Sequence, residues 1–116
     1  MYKEWFIYYQ KLPKAHKYSL GQKIDNLFID AIESISVATF LDKTEKLSWI
    51  NVSIRKIDTL KVLLMILWET QSLDNKKYIS LSGKIEELGK MLGGWSGHIK
   101  KQNSPQNNVK RNEKSC

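Results

Sequence analysis

The sequence contains little cysteine. Only one of its 116 residues is a cysteine, Cys116, the last residue. A lone thiol can form neither an internal disulfide nor a shared metal site, so an apolar core must hold the fold together. The length fits a single domain, and the expected compartment is a reducing cytoplasm. The first four residues, Met1 to Glu4, begin no apolar run with a cleavage site, so no targeting segment is expected.

Long apolar runs and catalytic groupings are also missing. The longest uninterrupted apolar run covers residues 62–68, far fewer than the roughly 20 residues that span a bilayer, so no membrane contact is expected. His16 and His98 lie far apart, with no thiol or carboxylate at ligand spacing. Glu86 and Glu87 are adjacent, and on a helix they point roughly 100° apart. The sequence therefore predicts no metal site, no cofactor and no enzymatic activity.

Positive charge is abundant and uneven. There are 19 Lys and Arg residues against 12 Asp and Glu, a formal charge of +7, which favours polyanionic partners. Residues 1–23 carry five Lys and one Glu, whereas residues 24–56 carry four basic and five acidic side chains. Solvated surface lysines remain the alternative explanation. The candidates for contact with nucleic acid or a polymerase are Lys11, Lys14, His16, Lys17, Lys23, Arg55, Lys56, Lys100 and Lys101.

Helix signals divide the first part of the chain. Residues 2–12 predict a short first helix that Pro13 stops. Residues 14–18 are interpreted as a basic connector. Ser19 with Gln22 three positions later forms a capping-box pattern, which predicts that the second helix begins there. The apolar side chains of this helix then recur every three or four residues.

The third helix has more apolar surface than one core requires. Asp42 with Glu45 predicts its start. From Leu60 onward it is apolar nearly all round, so it must be covered on more than one side. We expect a partner subunit to cover the surplus; burial of a central helix by its own chain is the alternative. The predicted contact residues here are Leu63, Ile66 and Trp68.

The fourth helix shows the most regular spacing. Asp74 or Ser72 is the predicted cap, and apolar residues then alternate at intervals of three and four, as a bundle seam requires. They are Tyr78, Leu81, Ile85, Leu88, Leu92, Trp95 and Ile99. Gly89, Gly93 and Gly97 share one stripe beside the seam, which suggests close approach of another backbone. The alternative is that Gly93 and Gly94 simply fray the helix end.

These patterns predict an all-α fold: an antiparallel up-down four-helix bundle over residues 1–101. From residue 102 the chain is polar and basic with almost no apolar residues. The sequence therefore predicts a flexible, disordered basic C-terminal tail over residues 102–116.

Two segments carry a family resemblance. Residues 12–24 read LPKAHKYSLGQKI, and residues 88–95 read LGKMLGGW. Both resemble the signatures of the Avd accessory proteins of diversity-generating retroelements. That branch belongs to a four-helix-bundle family that also includes the 23S rRNA intervening-sequence proteins. The resemblance runs from about residue 2 to residue 101.

The resemblance implies a non-catalytic, cytoplasmic accessory protein. It would assemble into a homopentamer, bind the reverse transcriptase and structured RNA, and support mutagenic cDNA synthesis and retrohoming. By position, Lys14, Lys17 and Lys23 match basic places in the first motif and are expected to contact RNA or the polymerase. Gly93, Gly94 and Trp95 match the second motif and are expected to pack. An RNA-linked bundle protein of the intervening-sequence type, or a purely structural self-assembling bundle, remains the alternative.

Overall fold

A computed structural model describes residues 1–103, which form four helices and no strand. The helices are α1 (Tyr2–Gln10), α2 (Gln22–Phe40), α3 (Lys43–Glu69) and α4 (Asn75–Asn103). The predicted all-α four-helix bundle is confirmed. Helix α4 continues past residue 101, and the remainder of the predicted tail, residues 104–116, lies outside the described residues.

The segment before α2 is helical, contrary to prediction. Lys14–His16 form one α-helical turn and Lys17–Gly21 a π-helical turn that leads directly into α2. Pro13 is the N-cap, and its carbonyl accepts hydrogen bonds from the amides of His16 and Lys17. Proline is tolerated at a helix start because the N–H that it lacks would have no partner within the helix there. The Ser19 hydroxyl donates to the Ala15 carbonyl, at 3.2 Å, instead of capping. The predictions of a connector and of a helix start at Ser19 were therefore wrong.

The other two helix starts are where the caps predict. An Asp42 carboxylate oxygen accepts from the Glu45 amide at 3.3 Å, and an Asp74 carboxylate oxygen accepts from the Lys77 amide at 2.9 Å. Asp74, not Ser72, is therefore the cap of α4. Each of these bonds satisfies an amide that a helix start leaves without a partner.

Helix α3 packs against both α2 and α4, and the predicted seam of α4 faces the core. Along that seam Leu81, Ile85, Leu92 and Ile99 are buried. The other three seam residues, Tyr78, Leu88 and Trp95, are half-buried. The largest side chain of the core belongs to α1: Trp5 is completely buried. It stacks on Tyr9 and Phe28, with ring centroids 5.5 and 5.7 Å away.

Two carboxylates fasten α1 to the bundle. On the α2 side, Asp25 accepts from the Tyr2 hydroxyl at 2.8 Å and from the Trp5 indole nitrogen at 3.1 Å. On the α4 side, Glu4 accepts from the Ser80 hydroxyl at 2.6 Å and from the Lys84 ammonium. A helix of nine residues is too short to be stable alone, so these contacts and Trp5 hold it in place.

Residues 1–103 leave the surplus apolar surface of α3 uncovered. Val62 is 51% exposed, Met65 40% and Ile66 38%, while Leu63 is half-buried. Trp68 is partly covered by its own chain, because its ring stacks on Tyr78 at 4.7 Å. A partner subunit on this face stays a prediction. None of the described helices is long and apolar enough to cross a membrane.

Candidate nucleic-acid interface

One end of the bundle collects four of the nine predicted basic residues. We call it the basic pole and define it by Lys11, Lys14, His16 and Lys17. A hydrogen bond between His16 Nδ1 and the Ser72 hydroxyl ties this segment to the turn between α3 and α4. Lys11 and Lys14 are exposed. Lys17 is half-buried and donates to the Gln10 carbonyl at 3.3 Å, so its ammonium is held beside the end of α1.

Two further lysines at the same pole were missed by sequence reasoning. Lys76 and Lys77 lie in the first turn of α4, which starts at the α3–α4 turn. Lys76 is exposed, whereas the Lys77 ammonium lies 5.3 Å from the centroid of the Tyr8 ring and 3.9 Å from the Asp74 carboxylate. The antiparallel order of helices brings this pair to the pole, and the charge count of the first 23 residues does not include it.

A second basic cluster lies in a groove between α2 and α3. The groove has a volume of about 410 Å³. Its lining residues are Lys23, Leu27, Val52, Arg55, Lys56 and Thr59. Helix packing thus brings Lys23 together with Arg55 and Lys56, a pair that is far from it in sequence. We call this cluster the basic groove.

The ammonium of Lys56 lies 3.8 Å from the Asp30 carboxylate, and both side chains are substantially exposed. Lys23 and Arg55 form no ion pair with any of residues 1–103. Two of the three cations of the basic groove are therefore available to an anion.

The last predicted pair lies at the opposite end of the molecule. Lys100 and Lys101 follow Ile99, which packs with Ala38 and Ile50 close to the α2–α3 turn. Helix α3, with 27 residues, separates the two ends by about 40 Å at 1.5 Å per residue. The predicted cations therefore form a pole, a groove and a distant pair, not one continuous patch.

Close packing explains the first sequence motif. Gly21 is buried in the π-helical turn, and a Cβ atom there would lie 2.8 Å from Leu12 Cδ1 and 3.0 Å from the His16 carbonyl oxygen. Leu12 is itself buried. The leucine, proline and glycine of LPKAHKYSLGQKI thus fold the chain back on itself. The lysines between them are carried to the surface of the pole.

Of the four glycines between Gly89 and Gly97, three face open space. A Cβ atom at Gly93, Gly94 or Gly97 would meet nothing within 4 Å, and at Gly89 it would make an ordinary contact with Lys61. Helix α4 continues through all of them, so the alternative of a frayed helix end was wrong. Their predicted role in packing against another chain stays a prediction.

Trp95 of the second motif is half-buried and packs against both core clusters. The Lys46 ammonium lies 5.6 Å from the centroid of its ring. This aromatic residue therefore contributes to packing within the chain itself.

Titratable groups suited to chemistry are scarce around these sites. No group of three or more His, Cys, Asp or Glu side chains among residues 1–103 could hold a metal ion. The carboxylate with the largest pKa change, Glu4, lies between α1 and α4 and is bonded to hydroxyl and ammonium groups of the protein. The arrangement suits binding of an anion by cationic side chains.

Comparison with known proteins decides the family. A family model described as bAvd-like matches residues 1–99. The chain belongs to the bAvd-like family. No curated protein and no solved structure gives a match. The match extends from α1 to Ile99 of α4, so it includes both sequence motifs, the basic pole and the basic groove.

Membership of the bAvd-like family confirms the resemblance seen in the two motifs. Avd-like proteins have an accessory role in diversity-generating retroelements and are generally non-catalytic. That is the level of function at which the family is informative. The charges and contacts of this chain indicate which of its residues could perform that accessory role.

Proposed function

We propose that this chain is a non-catalytic accessory subunit of a diversity-generating retroelement. In this proposal it assembles with copies of itself into a ring, a homopentamer by resemblance. It binds the reverse transcriptase and structured RNA, and so supports mutagenic cDNA synthesis and retrohoming. The observation that carries the proposal is the gathering of cations at the basic pole in a chain of the bAvd-like family.

The electrostatics of the pole favour a polyanionic ligand. Lys11, Lys14 and Lys76 are exposed, and their neighbours at the pole include Lys17 and Lys77. The Asp74 carboxylate, which lies 3.9 Å from the Lys77 ammonium, is already used as a helix cap. Clustered lysines of this kind bind phosphates as point charges and release counterions, which makes binding strong at low salt and weak at high salt.

Apolar surface supports self-association. The outer face of α3 exposes Val62, Met65 and Ile66, and the glycine face of α4 has room for another backbone. The apolar face of α3 lies within the last two helical turns before the turn that His16 contacts, but it shares no residue with the basic pole. A ring of subunits that buries these apolar and glycine surfaces would therefore leave the cations exposed and would present several copies to one RNA.

Charge reversal at the pole tests the proposal. We expect Lys14→Glu with Lys17→Glu to weaken binding of a structured RNA by about a hundredfold at low salt and to reduce cDNA synthesis by the partner reverse transcriptase. The matched control is Lys3→Glu with Lys90→Glu, which makes the same charge change at exposed positions outside the pole. Circular dichroism verifies folding of both, and a milder Lys14→Gln, Lys17→Gln pair replaces the reversal if folding fails.

Equal RNA binding and equal cDNA yield for the pole variant and the control would contradict the proposal. The intervening-sequence alternative makes a different prediction. It expects RNA binding without a polymerase partner, so a reverse transcriptase gene and a template repeat beside this coding sequence would argue against it.

A further inference from the structure

The basic groove between α2 and α3 has the features of a nucleotide-binding site. We propose that it binds one ribonucleotide of the RNA backbone. Lys23, Arg55 and Lys56 would hold the phosphate, and the Thr59 hydroxyl would accept a hydrogen bond from the ribose 2′-hydroxyl. This inference rests on the proposed function, because it names the chemical unit that the RNA-binding surface recognises.

Charge is the first argument. Lys23 and Arg55 line the groove and form no ion pair among residues 1–103. Lys56 has only a long contact of 3.8 Å to an exposed Asp30, and such surface pairs contribute little stability. An incoming phosphate therefore meets cations from both helices, Lys23 from α2 and Arg55 and Lys56 from α3, with Arg55 supplying a planar two-pronged donor.

Size and lining are the second argument. The groove volume of about 410 Å³ lies within the range of small-molecule pockets, which starts at roughly 300 Å³. A bare phosphate would leave much of this volume empty. Leu27 and Val52 add apolar surface beside the cations. A phosphate with its ribose and base attached matches a groove that is lined by both cationic and apolar side chains.

Thr59 supplies the third argument. Its hydroxyl donates to the Arg55 carbonyl at 3.0 Å, so its hydrogen is already used and its oxygen remains an acceptor. An exposed acceptor beside cations selects a ligand that carries both an anion and a hydroxyl donor. RNA has this combination at every nucleotide, whereas DNA lacks the 2′-hydroxyl.

The first test neutralises the groove. Fluorescence anisotropy measures the affinity for a labelled structured RNA, and for DNA of the same sequence, between about 50 and 200 mM salt. We expect Lys23→Gln with Arg55→Gln to lower RNA affinity at least tenfold and to reduce the salt slope by about one to two. The control, Lys3→Gln with Lys90→Gln, removes the same charge from exposed positions outside the groove and the pole.

The second test removes only the acceptor. Thr59→Val keeps size and charge, and we expect it to lower RNA affinity about fivefold to tenfold, the effect of one lost hydrogen bond, while DNA affinity is unchanged. Thr39→Val is the matched control, because the Thr39 hydroxyl also donates to a carbonyl of its own helix, that of Ile35, at an exposed position away from the groove. It should change neither affinity. Circular dichroism checks folding of all variants.

The outcomes separate this inference from the function on which it rests. If wild-type protein binds RNA steeply with salt, the pole variant weakens it and the groove variant matches its control, the groove inference is overturned while the proposed function stands. If the groove variant loses only the reverse transcriptase, the groove is a protein site and the inference is overturned. Absence of any salt-sensitive RNA binding by the wild type would overturn the proposed function itself.

Discussion

The half of the bundle near the basic pole and the half away from it are built differently. Near the pole, α1 fills the space between α2 and α4, and Trp5 closes the core. The first residue of α1, Tyr2, contacts Phe28 of α2 at 5.9 Å between ring centroids. Four segments thus surround the core in this half.

In the part of the chain that the structure describes, the other half has three helices around its core. Helix α1 is nine residues long, against 27 for α3 and 29 for α4. Apolar side chains stay exposed here, with Ile32 at 48%, Met91 at 70% and Phe40 at 87%. An apolar pocket of about 280 Å³, lined by Ile35, Leu88, Met91, Leu92 and Trp95, opens between α2 and α4.

The two halves differ in how completely the described helices close the core. The half near the pole has a closed core, so its surface is free to carry the cations of the pole. Apolar side chains are exposed in both halves, Val62 and Met65 near the pole and Ile32 and Met91 away from it, but among residues 1–103 the half away from the pole lacks a fourth segment over its core. Substitutions in the core that α1 closes should therefore have large effects on unfolding, and substitutions at exposed positions of the open half should have small effects. Three predictions test that contrast.

The largest expected effect is at Trp5. Trp5→Ala removes a completely buried indole and should lower the free energy of unfolding by about 3–5 kcal/mol. Trp49 of α3, which is 38% exposed, provides the control, and Trp49→Ala should cost less than about 1 kcal/mol. Urea unfolding followed by far-UV circular dichroism measures both. Similar losses for the two tryptophans would contradict the contrast between a closed and an open half.

The same substitution at two glycines should have opposite signs. Gly21→Ala forces a Cβ against Leu12 and the His16 carbonyl, which we expect to cost about 1–3 kcal/mol. Gly93→Ala meets open space on α4 and should stabilise the helix by up to about 1 kcal/mol. Thermal unfolding midpoints of the two variants test the prediction. A stabilising Gly21→Ala would show that the π-helical turn relaxes easily.

The sequence predicts the long helices of both halves, but it does not predict the fold of the segment before α2. Regular apolar spacing and the Asp42 and Asp74 caps predict the long helices, because these signals lie within one or two turns of chain. The Ser19–Gln22 pattern misleads because the start of that helix is decided by Pro13 and by the long-range contact of Gly21 with Leu12. Local capping rules do not contain such contacts.

The candidate site divides in the same way. Sequence reasoning selects the cations, since charge is a property of composition. Which of them meet depends on how helices pack: Lys23 and Arg55 share a groove only because α2 and α3 run side by side. Lys76 and Lys77 join the pole only because α4 starts at the same end of the bundle as the α1–α2 segment. The proposed role of Thr59 depends on the hydrogen bond from its hydroxyl to the Arg55 carbonyl. The sequence does not show that bond.

The third prediction concerns Glu4, which holds α1 onto α4 in the half near the pole. Partial burial opposes ionisation of Glu4, but hydrogen bonds from Lys84, Ser80 and Tyr8 outweigh it and lower the pKa of Glu4 from 4.5 to about 2. The hydrogen bond from the Tyr8 hydroxyl to Glu4, together with burial, raises the pKa of that hydroxyl to about 12. The Glu4 carboxylate is thus favoured in its charged form by the folded state.

A pKa lower in the folded than in the unfolded chain adds stability above the unfolded value. The contribution of Glu4 is therefore complete above about pH 4.5 and is lost as the pH falls toward 2. We expect Glu4→Gln to lower the free energy of unfolding by about 1–2 kcal/mol at pH 7, a value reduced by solvent screening of the half-exposed Lys84. The deficit should shrink to a small fraction near pH 2, where the folded wild-type carboxylate is about half protonated, and should vanish below that pH. Glu87→Gln, at an exposed position of α4, is the control and should change stability by less than about 0.5 kcal/mol. Urea midpoints at pH 7, 4 and 2.5 measure the difference, and a deficit that persists unchanged at the lowest pH would show that Glu4 acts through packing and not through its charge.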